Sequence, residues 1–182
     1  MSQDTHPVNV FNFCPRCGSQ EFGTLGTRAK KCKHCSFIYY FNTSSAVAAL
    51  IFDEAGRLML TRRAIEPHFG KLDLPGGFVD PMETAEEALS RELREELGIE
   101  INNIEYYCSF PNEYPFSGLS VFTLDLAFKV KVAPDAKITP MDDISAFEFY
   151  YPKEINLKEI PGHSIRKIVE KVVSEKNRIN KP

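Results

Sequence analysis

The chain has 182 residues, 43% of them hydrophobic and 26% charged; that suits one full domain plus a small accessory module and excludes a disordered chain. A formal net charge of -3 gives no overall bias toward nucleic acid, although a local basic patch stays open. No stretch approaches the roughly 18 apolar residues of a membrane span, and MSQDTHPVNV lacks the features of a secretory signal, so a cytoplasmic protein is expected.

Four of the five cysteines form two pairs, Cys14-Pro-Arg-Cys17 and Cys32-Lys-His-Cys35, separated by fourteen residues. Each C-x2-C presents two thiolates from one turn, and two such turns complete a tetrahedron around a soft divalent ion. A structural Zn2+ held by Cys14, Cys17, Cys32 and Cys35 is therefore expected. Paired disulfides are disfavoured in a reducing compartment, and a redox motif normally uses a single C-x-x-C. Gly18 follows the first pair, where the turn calls for positive φ. His34 should face solvent, since four sulfurs fill the shell. About forty residues bury little core, so a metal staple makes physical sense. Arg28, Lys30, Lys31 and Lys33 cluster around the second knuckle. A nucleic-acid patch is one reading; a solvated hairpin face that balances the zinc–thiolate charge is favoured over it.

Ser45–Asp53 and Arg57–Arg63 read as strands joined through Ala55-Gly56. Residues 64–71 read as a loop, and Lys71–Val79 as two short extended pieces around a glycine pair. Thr84–Leu97 reads as a helix. Ile104–Pro111, Leu119–Val132 and Ser145–Tyr151 read as strands, and Ser164–Asn177 as a closing helix. Cys108 reads as a small buried hydrophobe. One long helix between strands, with a terminal helix, suggests an α/β sandwich.

The first long helix is unusual. Thr84 and Glu87 form a capping box. With Leu89 at zero and about 100° per residue, Leu93, Leu97, Ala85 and Ala88 define one apolar stripe. Glu96 falls at about -20° and Glu92 at about -60°, inside the stripe, and Glu95 borders it at about -120°. A carboxylate buried there needs a cation. Arg62, Arg63, Arg91 and Arg94 are one source; a hard divalent metal, drawn to clustered oxygens, is the other.

Gly77–Ile99 (GFVDPMETAEEALSRELREELGI) resembles the Nudix box, G-x5-E-x7-R-E-U-x-E-E-x-G-U, at every fixed position: Gly77, Glu83, Arg91, Glu92, Leu93, Glu95, Glu96, Gly98 and Ile99. The resemblance implies an α/β/α sandwich around a mixed sheet, and hydrolysis of a nucleoside diphosphate derivative with Mg2+ or Mn2+. It implies that Glu92, Glu95, Glu96 and the Gly76 carbonyl hold the metal, and that Glu83 and Arg91 pair to anchor the loop to the helix. Which glutamate acts as general base varies within the family.

A zinc ribbon (residues 1–41) before a Nudix domain (residues 42–182) is similar to the layout of the NADH pyrophosphatase branch. Ser109–Ser117 (SFPNEYPFS) partly matches that branch's SQPWPFPxS signature, and Pro161–Arg166 also resembles it. The resemblance implies a dinucleotide substrate such as NADH, NAD or ADP-ribose, with Ser109, Tyr114 and Phe116 as substrate-reading residues on a loop. Asp142 or Asp143 lies where relatives add an acidic residue. The alternative is a nucleic-acid-binding or NAD-capped-RNA-processing protein, its Nudix domain decapping RNA or sensing ligand. The expected partner is a small nucleotide; no membrane is expected, and a homodimer stays open.

Overall fold

The computed structural model describes residues 5–133 and 135–179. The chain divides into two compact units, one running to Ser44 and including Glu113–Phe122, the other comprising Ser45–Asn112 and residues from Thr123 onward.

The first unit is built on a three-stranded antiparallel sheet of β1 (Phe22–Leu25), β2 (Ala29–Cys32) and β3 (Ile38–Tyr40), with Phe22 opposite Cys32 and Lys30 opposite Tyr39. Its turns depend on glycine: Gly18 and Gly26 have φ of 73° and 66°, a region that L side chains avoid. Among the described residues its buried cluster is Cys14, Phe22 and Cys32, with Cys35 and Phe37 packed against them. A single helical turn, α1 (Pro7–Val10), precedes the sheet, and His6 Nδ1 accepts from Val8 N at 3.1 Å to cap it. Lys30 departs from the expected solvated face. Its ammonium is buried, donates to the carbonyls of Val8 (3.1 Å) and Phe11 (2.6 Å), and lies over the Phe22 ring. A charge tolerates such a site because carbonyl oxygens and a π face replace its water.

The second unit contains most of β4 (Ser44–Ile51), β5 (Leu58–Arg63), β6 (Leu72–Asp73), α2 (Ala85–Leu97), β9 (Ile144–Tyr150) and α3 (His163–Ile179). Two 3-10 turns, Pro152–Glu154 and Leu157–Glu159, precede α3. The long strands β7 (Ile101–Phe116) and β8 (Leu119–Val132) join β4 in the order β4-β8-β7, and β6-β5-β9 form another sheet. Val47–Ile51 is a run of five buried residues that divides between two cores. Val47, Ala49 and Ile51 pack with Leu89, Leu93 and Leu97 of α2; Ala48 and Leu50 pack with Ile168 and Val169 of α3. Because successive strand side chains point to opposite faces, an unbroken apolar run is what a strand covered on both sides requires. The result is the expected α/β/α sandwich.

The helices begin and end close to expectation. Thr84 Oγ1 accepts from Glu87 N while Glu87 accepts from Thr84 N, closing the capping box, and Gly98 ends α2 at φ 67°. The expected loop at Ser109–Ser117 is corrected: β7 continues through Phe116, and the turn is Ser117-Gly118, with both residues at positive φ. β7 lies at the edge of its sheet, and an edge strand accommodates the missing N–H of Pro111 and Pro115. No helix among the described residues is long and apolar enough to cross a membrane.

Candidate active site and candidate metal centre

The segment before α2 is threaded tightly onto β4. Ala49 N donates to Pro75 O, Val47 N to Gly77 O and Val79 N to Ser45 O, at 2.8, 2.8 and 3.0 Å. This approach requires the glycine pair. Gly76 has φ 139°, and a Cβ there would lie 2.1 Å from Val47 O; a Cβ on Gly77 would lie 2.5–2.7 Å from the Glu92 carboxylate. The pair thus lets backbone pass directly beneath the acidic face of α2.

Burial of the three glutamates follows the helical wheel. Glu96 is 7% exposed, the Glu92 side chain is 15% exposed and the Glu95 side chain 49%. Glu96 Oε2 accepts from Gly76 N at 2.8 Å. Burial, reinforced by the charges of Glu92, Asp73 and Asp143, pushes its carboxyl up to about 8. Burial also raises Glu92, against the neighbouring Arg91 guanidinium.

Arg91 is the hub of the outer part of the site. Its Nε and Nη2 donate to the two carboxylate oxygens of Glu83, each at 3.0 Å, and Nη2 also reaches Phe78 O. Its Nη1 donates to Glu92 (2.7 Å) and Glu95 (3.2 Å). The two-pronged bond to Arg91 holds Glu83 below the usual carboxylate range, and Glu83 raises Arg91 in return. The Glu83–Arg91 pair ties the loop before α2 to the helix.

The other arginines weighed as counter-ions serve elsewhere. Arg62 donates to Gly70 O and faces Glu159, Arg63 binds Asp73 and Pro67 O, and Arg94 binds Glu100. Among the described residues no cationic nitrogen pairs with Glu96. A desolvated carboxyl beside Glu92, with a backbone N–H on one oxygen and no organic cation, fits a hard divalent ion. Among the described residues only the cysteines form a group of three or more whose ligand atoms all lie within 4.8 Å of one another, so the three glutamates do not meet at one point. Glu92 and Glu95 both turn to Arg91 Nη1, whereas Glu96 turns to Gly76 N.

Asp73 belongs to the same field, although the sequence reading does not single it out. It lies between two buried leucines, accepts from Leu74 N and Arg63, and is pushed up by burial. An acid inside the apolar stretch Leu72-Asp73-Leu74 is the available signal. Asp143 is exposed but contributes to the field at Glu96, and its carbonyl accepts from Ala64 N. Asp142 sits at an exposed turn with φ 50°.

The cysteines form a second constellation. Cys14 and Cys35 Sγ lie 3.7 Å apart, as do Cys17 and Cys32 Sγ. A zinc–thiolate tetrahedron with bonds of about 2.3 Å has edges of about 3.8 Å, whereas a disulfide needs about 2.05 Å. All four are free thiols. Backbone N–H groups of Cys35 and His34 lower the Cys32 thiol, while burial and the neighbouring thiols raise Cys17. His34 is exposed as expected, and Cys108 is half-buried at the margin of the α3-side core.

The expected substrate residues are not gathered on one loop. Ser109 accepts from Tyr106 OH in the second unit. Tyr114 and Phe116 belong to the first, their ring centroids 6.0 Å apart.

The NUDIX domain profile matches residues 42–171. Among curated proteins, the chain is 25% identical over 170 residues to the NAD-capped RNA hydrolase NudC of Vibrio parahaemolyticus, covering 93% of this chain and 62% of that protein. It is 28% identical over 164 residues to the protein of the same name from Shigella dysenteriae, covering 89% and 60%. The chain thus spans about three fifths of the length of these relatives. Among solved structures, it is similar to a NUDIX hydrolase from Nitrosomonas europaea, with a TM-score of 0.65, 25% identity and coverage of 94% and 95%. It is also similar to the E. coli ORF135 protein, at TM-score 0.60 and 26% identity, covering 78% of this chain and 96% of that one.

Proposed function

The chain belongs to the Nudix family, and from that premise we propose that it is a divalent-metal-dependent hydrolase of the diphosphate linkage in a nucleoside diphosphate derivative. The preferred substrate is a dinucleotide such as NADH, NAD or ADP-ribose. The observation that carries the reading is Glu96: a buried carboxyl pushed up to about 8, bonded to Gly76 N and paired with no organic cation among the described residues. Such a group is costly to keep unless an ion joins it.

Glu92, Glu95 and Glu96, with the Gly76 carbonyl, would hold Mg2+ or Mn2+. When bound, the ion neutralises diphosphate oxygens and makes water acidic enough to attack near neutral pH. The chain's own residues arrange the rest. The glycine pair admits backbone close to the glutamates. Arg91, held by Glu83, keeps the loop against α2 and competes with the ion for Glu92 and Glu95. Water adds to one phosphorus, the bridging P–O bond breaks, and two phosphate monoesters leave. A carboxylate of this set takes the proton; the geometry favours none of the three.

Cys14, Cys17, Cys32 and Cys35 would hold one structural Zn2+, closed to substrate by its four thiolates. Free thiols at that spacing suit a reducing, cytoplasmic setting. The domain reading is a ribbon over residues 1–41 and a hydrolase domain over 42–182. Ser109, Tyr114 and Phe116 would read the moiety beyond the diphosphate.

A second reading, removal of an NAD cap from RNA, is favoured by the names of the NudC relatives. It uses the same chemistry on a longer leaving group. The test is a panel of NADH, NAD, ADP-ribose, a nucleotide sugar and NAD-capped RNA, with Mg2+ and Mn2+, scored by products. Cleavage of at least one dinucleotide or capped RNA into two monoester ends is expected. Failure on every diphosphate with both metals would overturn the hydrolase reading.

A further inference from the structure

The first unit contains a cleft of about 310 Å3 that the hydrolytic chemistry does not use. Its volume is at the lower end of the roughly 300–1,000 Å3 of small-molecule sites, suited to a mononucleotide rather than a dinucleotide.

Two phenylalanine rings, Phe41 and Phe122, and the His6 imidazole line it. The Phe41 ring is held by stacking on Phe11 (5.5 Å, 26°) and by the edge of Tyr39 (5.0 Å). Phe122 packs against His6 at 5.1 Å. His6 Nδ1 accepts from Val8 N, which leaves Nε2 as the ring's donor. Arg28 also lines the cleft. Its backbone is fixed by Phe41 N donating to Arg28 O at 2.8 Å, yet its exposed guanidinium makes no ion pair among the described residues. Asn42 adds an amide that both donates and accepts, and no acidic residue lines the cleft.

We propose that this cleft binds a nucleoside phosphate, its base against the Phe41 and Phe122 rings, its phosphate on Arg28 and its polar edge on Asn42. A guanidinium matches phosphate geometry with paired donors. Aromatic faces accept any base, and the Asn42 amide can meet either a donor or an acceptor on it. A bare anion would leave the aromatic walls unused; a neutral apolar ligand would bury the guanidinium unpaired. The nucleoside phosphate is either a free mononucleotide or one residue of an RNA strand. This inference is independent of the hydrolase reading, because neither ligand contains a diphosphate to cleave.

The test titrates the full chain with inorganic phosphate, 5′-AMP and a short single-stranded RNA, following NMR resonances of the Asn42 amide and the Arg28 guanidinium. AMP and RNA should each shift both, and phosphate should bind at least about tenfold more weakly than AMP. Arg28→Ala should weaken AMP binding by at least about tenfold, and Arg28→Lys by less, since it keeps the charge but loses the fork. RNA binding more tightly than AMP assigns the site to a strand; equal binding assigns it to the free nucleotide, and both support a nucleoside-phosphate site. Unmoved resonances, phosphate binding as tightly as AMP, or unchanged affinity in Arg28→Ala would overturn it.

Discussion

Glu96 and Glu92 occupy helix positions where leucine would pack, and their burial differs from that of Glu95 as the wheel angles require. Removing a charge there should not loosen the core, because the buried carboxyl is itself unfavourable. Glu96→Gln and Glu92→Gln are each expected to lower kcat at least about a hundredfold, with the melting temperature held or raised. Wild-type turnover in either variant at saturating Mg2+ would remove that residue from the metal site. Gly77→Ala makes a finer test. Its Cβ would meet the far end of a flexible side chain, the Glu92 carboxylate, so the backbone should survive while Glu92 is displaced. Activity should fall, the apparent Mg2+ requirement should rise, and circular dichroism should stay the same. Gly76→Ala should instead destabilise the fold, because its Cβ meets the Val47 carbonyl at 2.1 Å and φ is 139°. A cost of at least about 2 kcal/mol is expected from urea unfolding.

Helix α2 aims the glutamates, and its first turn is closed by Thr84 and Glu87. Thr84→Ala should cost about 1 kcal/mol in urea unfolding with kcat nearly unchanged, since later turns carry the carboxylates. This helix is legible in the sequence because periodicity, capping box and C-terminal glycine all agree. The β4 segment likewise reads as a strand in sequence, and the structure adds that it is covered on both faces. β7 reads too short in sequence because its two prolines argue against a strand interior, and only the pairing order shows that it is an edge. The short strands around the cysteines are not legible individually, since turns and cross-strand contacts define them more than alternation does. Lys30 escapes the sequence for a related reason: its carbonyl partners at Val8 and Phe11 come from a segment about twenty residues earlier. At this scale belongs the role of the β7–β8 hairpin end. Tyr114→Ala and Phe116→Ala should lower kcat/KM by about ten- to a hundredfold on a substrate whose base or second moiety stacks there. The loss should differ between two dinucleotides, whereas Glu96→Gln should affect both alike. Equal losses, or none, would remove these rings from substrate reading.

The whole molecule joins two units with very different means of stability. The second unit distributes two extended apolar clusters across both faces of β4. Among the described residues, the first has one small cluster of Cys14, Phe22 and Cys32, with Cys35 and Phe37 packed beside it, and adds little beyond Val8 and Ala29 to its buried apolar side chains. So small a core cannot offset the entropy of ordering some forty residues, and a cross-link must supply the difference. The Sγ separations of 3.7 Å fit a zinc tetrahedron and exclude disulfides. Protein purified without added metal should therefore carry one zinc per chain by elemental analysis. Its four thiols should become reactive only when a strong chelator removes that ion. Chelation should then broaden or collapse the NMR resonances of Phe22, Ala29 and Tyr39, while methyl signals of Leu89, Leu93 and Val169 keep their positions. That asymmetry separates a structural staple from a metal the second unit needs for chemistry, because Mg2+ readdition should leave the first set collapsed and only zinc should restore it. A zinc-free chain with a folded β1–β3 sheet would show that the ribbon stands without its ion.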